Sequence, residues 1–139
     1  MAALCSTSEH CESDIRQRLC RADLPTSVVQ AIIDRLYDEG FLDTARYCRA
    51  YASDQMRFAR WGPIKIAASL RQKGLPADDI REAVAALPAD EYHEILISLL
   101  RAKARQTSEP TREKLLRFAA SRGFTYEAAE QALAAIDDD

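Results

Sequence analysis

Apolar side chains along this chain fall into a six-member pattern that occurs three times in succession. Ile15, Leu19, Leu24, Val29, Ile33 and Leu36 are spaced by 4, 5, 5, 4 and 3 residues. Ile66, Leu70, Leu75, Ile80, Val84 and Leu87 repeat those intervals 51 residues later, and Leu115, Ala119, Phe124, Ala129, Leu133 and Ile136 repeat them after another 49. Spacings of 3 and 4 keep residues on one helix face, whereas the two 5s bracket a break at Leu24-Pro25, Gly74-Leu75-Pro76 or Gly123-Phe124-Thr125. Each copy therefore predicts a helix, a short turn and a second helix. A repeat of this length signals an array of small stacked units, an architecture that builds binding surfaces more often than catalytic clefts.

Local punctuation supplies the remaining elements. Ser6 and Glu9 have capping-box spacing, so the first helix is expected from near Ser8 to Ala22, ahead of the Asp23-Leu24-Pro25 turn. A second helix stops at Gly40, and Asp43 caps a longer third helix that runs to about Arg60. Trp61-Gly62-Pro63 breaks the chain, and helices follow over residues 63–73, 76–86 and 90–106, then 110–122 and 126–136. No segment is patterned as a strand. The fold class predicted is all-α: an elongated tandem array of three-helix, helix-turn-helix-like repeats. The period divides it into residues 1–60, 61–107 and 108–139, one continuous array whose last repeat lacks its third helix.

Charge changes the picture through its distribution. The formal net charge is only -3. Between Thr44 and Lys73, however, Arg46, Arg49, Arg57, Arg60, Lys65, Arg71 and Lys73 face Asp54 alone, and the stretch from Arg101 to Arg122 is similarly basic. Acids gather at Asp78, Asp79 and Glu82, at Asp90, Glu91 and Glu94, and in the Asp137-Asp138-Asp139 tail. Such segregation presents basic faces to a polyanion or an acidic partner.

On a regular helical wheel over residues 44–60, Arg46, Arg49, Arg57 and Arg60 fall within an arc of about 80°. Tyr47, Tyr51 and Phe58 lie opposite. The arginine row spans about 21 Å, which suits a run of phosphates or of carboxylates. Lys65 with Ser69 and Gln72, and Lys114 with Arg117 and Ser121, form matching stripes in the second and third units. Lys73 and Arg122 occupy equivalent places before a glycine. The plain alternative is that these cations solvate outer helix faces or complement helix C-termini. Trp61 is expected to pack the joint between units.

Other chemistries lack their parts. The four cysteines are expected as reduced thiols, because a Leu- and Ile-rich core needs no disulfide staple. His10, Cys5, Cys11 and Cys20 fit no zinc-ligand spacing, and no cofactor is expected. There is no phosphate-cradling glycine loop and no glycine-framed nucleophile, so the chain is read as a non-enzyme. No stretch approaches the length of a membrane span, and a cytoplasmic protein is expected.

Two motifs then carry a resemblance. Leu36-Tyr37-Asp38-Glu39-Gly40-Phe41-Leu42-Asp43 with Arg46-Tyr47, and Trp61-Gly62-Pro63-Ile64-Lys65-Ile66 running into Leu70-Arg71-Gln72-Lys73-Gly74, resemble the signature of RecX-type regulators of the RecA recombinase. The match extends in order over nearly the whole chain from about Ile15. The resemblance implies tandem three-helix units and a non-enzymatic protein that binds RecA and the RecA filament on single-stranded DNA; a monomer is expected. It implies inhibition of recombinase, ATPase and coprotease activities, in DNA repair, recombination and the SOS response, with weak direct DNA binding. Arg46, Arg57, Lys65, Arg71 and Lys73 match the family's basic motif positions. A stand-alone helical nucleic-acid-binding module and a helical-repeat scaffold for another acidic protein are the alternatives that the basic stripes alone leave open.

Overall fold

The structure is a computed structural model and describes residues 11–137, so the expected capping box at Ser6 and Glu9 lies outside the described residues. Among the described residues, eight α-helices follow one another: α1 (Glu12–Arg21), α2 (Thr26–Asp38), α3 (Thr44–Asp54), α4 (Pro63–Gln72), α5 (Ala77–Ala85), α6 (Ala89–Gln106), α7 (Arg112–Ser121) and α8 (Tyr126–Asp137). A π-helical turn, Gln55–Ala59, extends α3. Among the described residues there is no strand.

The predicted breaks form as expected. The Asp43 side chain accepts the Arg46 N–H at 3.0 Å and caps α3, while Thr111 accepts the Lys114 N–H at 3.2 Å and caps α7. The turns ending α4 and α7 share one hydrogen-bond scheme, in which Leu75 donates to the Leu70 carbonyl and Phe124 to that of Ala119. This closure swings the apolar residue back under its own helix. Leu75 and Phe124 are accordingly buried, at 9% and 2% exposed. In the first unit Asp23 takes the left-handed conformation, φ +60°, that Gly74 and Gly123 take in the others. The equivalent bond from Leu24 is absent, and Leu24 is 37% exposed.

Three apolar cores result. The first joins α1 and α2 around Val29, Ile33 and Leu42. The second joins α3 to α4 and α5 through Tyr47, Cys48, Ala52, Met56, Ile66, Leu70, Ile80 and Ala83, and takes in Cys11 from ahead of α1. The third joins α6 to α7 and α8 through Leu96, Leu99, Leu100, Phe124, Ala132 and Leu133. Each long helix thus packs mainly on the pair that follows it. The Thr44 hydroxyl donates to Asp79, and the Tyr51 and Ser69 hydroxyls bond at 2.5 Å, so polar contacts reinforce the same grouping. Counted along the sequence period, the last unit holds two helices; grouped by packing, α6 completes a set of three with them.

The second and third sets meet backbone to backbone. The Gly62 N–H donates to the Arg122 carbonyl at 2.7 Å, and the Ile64 N–H donates to the Gly123 carbonyl at 2.9 Å. A Cβ on Gly62 would stand 2.5 Å from the Gly123 carbonyl, and one on Gly123 (φ +91°) would collide with Lys65. Tyr92 stacks edge-on against Phe124 at 5.1 Å and touches both cores, which extends the joint into the apolar interior. Gly62→Ala is expected to cost about 1–3 kcal/mol, because backbone atoms cannot rotate away from the new methyl. Gly40→Ala, also at positive φ but in open space, should cost about 1 kcal/mol and serves as the control. Thermal denaturation of both variants checks this, and a Gly62→Ala protein as stable as wild type would contradict the joint.

Candidate interaction surface

The basic residues singled out from the sequence divide by what they touch. Arg46 is half-buried and donates to the Gly40 carbonyl at 2.9 Å, closing the turn into α3. Arg57 forks onto Glu91 at 2.7 and 3.2 Å, tying the π-turn to the start of α6. That pairing holds the Glu91 carboxyl below its ordinary range and pushes the Arg57 guanidinium up, the hydrogen bond being the larger cause in both. Lys73 lies 3.8 Å from Asp14 and over the Tyr51 ring, bridging α4 to α1. Lys65 sits 4.7 Å over Trp61, and Arg122 sits 5.4 Å over Phe118. The Lys114 ammonium reaches the Glu109 carbonyl at 3.1 Å. Arg49, Arg60, Arg71 and Arg117 are exposed and make no hydrogen bond or ion pair among the described residues.

One geometric expectation is corrected. The arginine row assumed an unbroken α-helix over residues 44–60, but α3 ends at Asp54 and five residues of π-turn follow. Arg60 stands outside the helix in the left-handed conformation, φ +59°. A π-turn holds more residues per turn than an α-turn, so every side chain after Asp54 is rotated from its wheel position. Arg46 and Arg49 therefore do not continue as one stripe into Arg57 and Arg60. The same rotation removes Phe58 from the tyrosine side: Tyr47 is buried, whereas Phe58 is 83% exposed.

Phe58 is joined at this corner by two further exposed apolar residues that periodicity did not single out. Ile64, on the first turn of α4, is 54% exposed, and Tyr126, at the start of α8, is 66% exposed. All three lie within about one helical turn of chain from the Gly62–Gly123 contact. Trp61 is half-buried against the second core, with the Lys65 ammonium over its ring. Exposed apolar side chains brought near one joint are candidates for contact with a partner.

The thiols sort by burial. Cys48 is fully buried, and burial pushes its thiol up to about 11. Cys11 is buried with its sulfur 3.2 Å from the Ser13 hydroxyl, and Cys20 is exposed at the opposite end of α1. Cys5 and His10 lie outside the described residues. In a Cys5→Ser background, an aromatic disulfide reagent should titrate Cys20 at once and Cys11 and Cys48 only on unfolding, since a buried neutral thiol is a poor nucleophile. Prompt labelling of Cys48 would contradict the α3 packing.

Comparison with known proteins adds the lineage. The family model described as RecX, second three-helix domain, matches residues 43–84, the span that contains α3, α4 and all of α5 but its last residue. Regulatory protein RecX of Xanthomonas axonopodis pv. citri is 31% identical over 119 residues, covering 84% of this chain and 72% of that protein. The chain belongs to the RecX family. Regulatory protein RecX of Lacticaseibacillus paracasei is 35% identical over 79 residues, and there the chain spans 33% of the relative's length. The crystal structure of RecX from Lactobacillus salivarius superposes with a TM-score of 0.83 at 19% identity, over 99% of this chain and 94% of that one, so the RecX fold is shared from end to end. No helix among the described residues of this RecX-family chain is long and apolar enough to cross a membrane.

Proposed function

We propose that this RecX-family chain is a non-enzymatic regulator that binds RecA and the filament RecA forms on single-stranded DNA, and that it lowers recombinase, ATPase and coprotease activity. Family membership is the observation that carries the reading. Its surface supports it. The chain has a net charge of -3 yet leaves Arg49, Arg60, Arg71 and Arg117 solvent-exposed, with no hydrogen bond or ion pair among the described residues. Exposed unpaired arginines pay little desolvation until a partner supplies carboxylates or phosphates, and then form strong forked hydrogen bonds.

Direct DNA binding is the minor component. Acids at Asp78, Glu82 and Asp90 are exposed on the same chain and oppose a polyphosphate, so duplex and single strand alone are bound weakly and with steep salt dependence. Binding to the assembled filament combines protein and DNA contacts and is tighter than either.

Co-sedimentation with RecA, nucleotide and single-stranded DNA, omitting each component in turn, tests the reading. Replacing Arg49, Arg60, Arg71 and Arg117 together by Gln should leave helix content unchanged, because exposed polar substitutions cost within about 0.5 kcal/mol each. The same variant should bind the filament more than about tenfold weaker, since charge-assisted hydrogen bonds contribute about 1.5–3 kcal/mol each. Wild-type protein that fails to sediment with the complete filament would overturn the function. Nanomolar sequence-specific binding to duplex alone would replace it with a nucleic-acid-binding module.

A further inference from the structure

The corner where the second and third helix sets meet has a chemistry that neither the cores nor the basic stripes explain. Phe58, Ile64 and Tyr126 are its most exposed apolar side chains, at 83%, 54% and 66%. Phe58 owes its position to the π-turn, a distortion that proteins retain most often at functional sites. A regular helix would have placed this side chain with Tyr47 and Tyr51, so the insertion turns outward an aromatic that the amphipathic pattern assigns inward. The clasp between Gly62 and Gly123 then sets Ile64 and the start of α8 on the same rigid corner.

Cations flank these residues along the chain. Arg60 projects from the left-handed position directly after the π-turn, exposed and without a hydrogen bond or ion pair among the described residues. The Lys65 ammonium is held over Trp61, and the Arg122 guanidinium over Phe118, so both are positioned by rings, and neither forms an ion pair with a carboxylate among the described residues. The neighbouring Glu91 is already taken by Arg57. Asp54, at the start of the π-turn, acts on Arg57 as well, and Glu127, beside Tyr126, is exposed. Rigid aromatics beside oriented cations are what binding hot spots are made of.

We propose that this corner is a protein-docking surface for a partner segment that alternates apolar and acidic side chains. The apolar ones rest on Phe58, Ile64 and Tyr126, and the carboxylates pair with Arg60, Lys65 and Arg122. An aliphatic member in the patch and an exposed Glu127 at its edge favour a peptide over a run of phosphates. The inference deepens the filament-binding reading and rests on it, since it names the surface by which the partner protein is held.

The test compares wild type with Phe58→Ser/Ile64→Ser/Tyr126→Ser in two titrations, one against RecA assembled with nucleotide on single-stranded DNA and one against the same DNA alone. Circular dichroism checks that the exposed substitutions leave the helices intact, and single Phe58→Ser serves if the triple variant does not fold. The surface predicts at least tenfold weaker filament binding with DNA binding unchanged within twofold. Equal losses in both titrations would make the patch a base-stacking site, and undiminished filament binding would show that it docks nothing. Either result overturns the proposal while leaving wild-type filament binding, and hence the functional reading, standing. Absence of wild-type binding would remove both.

Discussion

Two backbone hydrogen bonds between turns hold the second and third helix sets in one orientation, and the rest of the surface follows from them. They form only because neither Gly62 nor Gly123 carries a Cβ: the two chain segments approach closer than any side chain would allow. Backbone donors and acceptors in such a joint are obligatory partners once water is excluded, which makes the contact directional as well as close. Tyr92 against Phe124 and Arg57 against Glu91 brace the same joint on its apolar and solvent sides. The first helix pair is attached differently, through the buried Cys11 and the 3.8 Å Lys73–Asp14 pair.

Repetition explains why the long helices are needed. A pair such as α4 and α5 buries one face between its members but leaves Ile80 and Ala83 to be covered, and α3 covers them; α6 does the same for Ala129 and Ala132 of α8. A unit that cannot bury its apolar surface alone is stabilised by its neighbour, which is the general logic of repeat proteins. The basic residues fall where this packing permits. Those near helix junctions become structural, as Arg46, Arg57 and Lys73 do, and those on outer turns stay available.

Much of this was legible in the sequence. Intervals of 4, 5, 5, 4 and 3 located every helix pair, and the hexad is buried or half-buried except at Leu24. That exception has a local cause, because Asp23 stands where Gly74 and Gly123 close their turns, and Leu24 lacks the bond that folds it under α1. Three features were not legible. The π-turn leaves no mark in Gln55-Met56-Arg57-Phe58-Ala59, since one inserted residue alters the phase of the helix without altering its composition. The pairing of each long helix with the helices after it depends on which of two neighbours an amphipathic face meets, and a period cannot distinguish them. The clasp is made by main-chain atoms, and its only trace is glycine in Trp61-Gly62-Pro63 and in Arg122-Gly123-Phe124.

The wheel that aligned four arginines failed for the same reason that Phe58 was misplaced, and the two errors point to one corner of the molecule. Whether that corner is rigid decides whether it can act as a preformed surface, because a patch on a mobile turn loses its ordering entropy on binding. Native-state hydrogen exchange at the Gly62 and Ile64 amides reads this directly, since both are donors in the clasp. A rigid clasp gives exchange as slow as that of the Leu70 amide in the core of α4. Exchange of these two amides orders of magnitude faster than Leu70, as in an open turn, would contradict it.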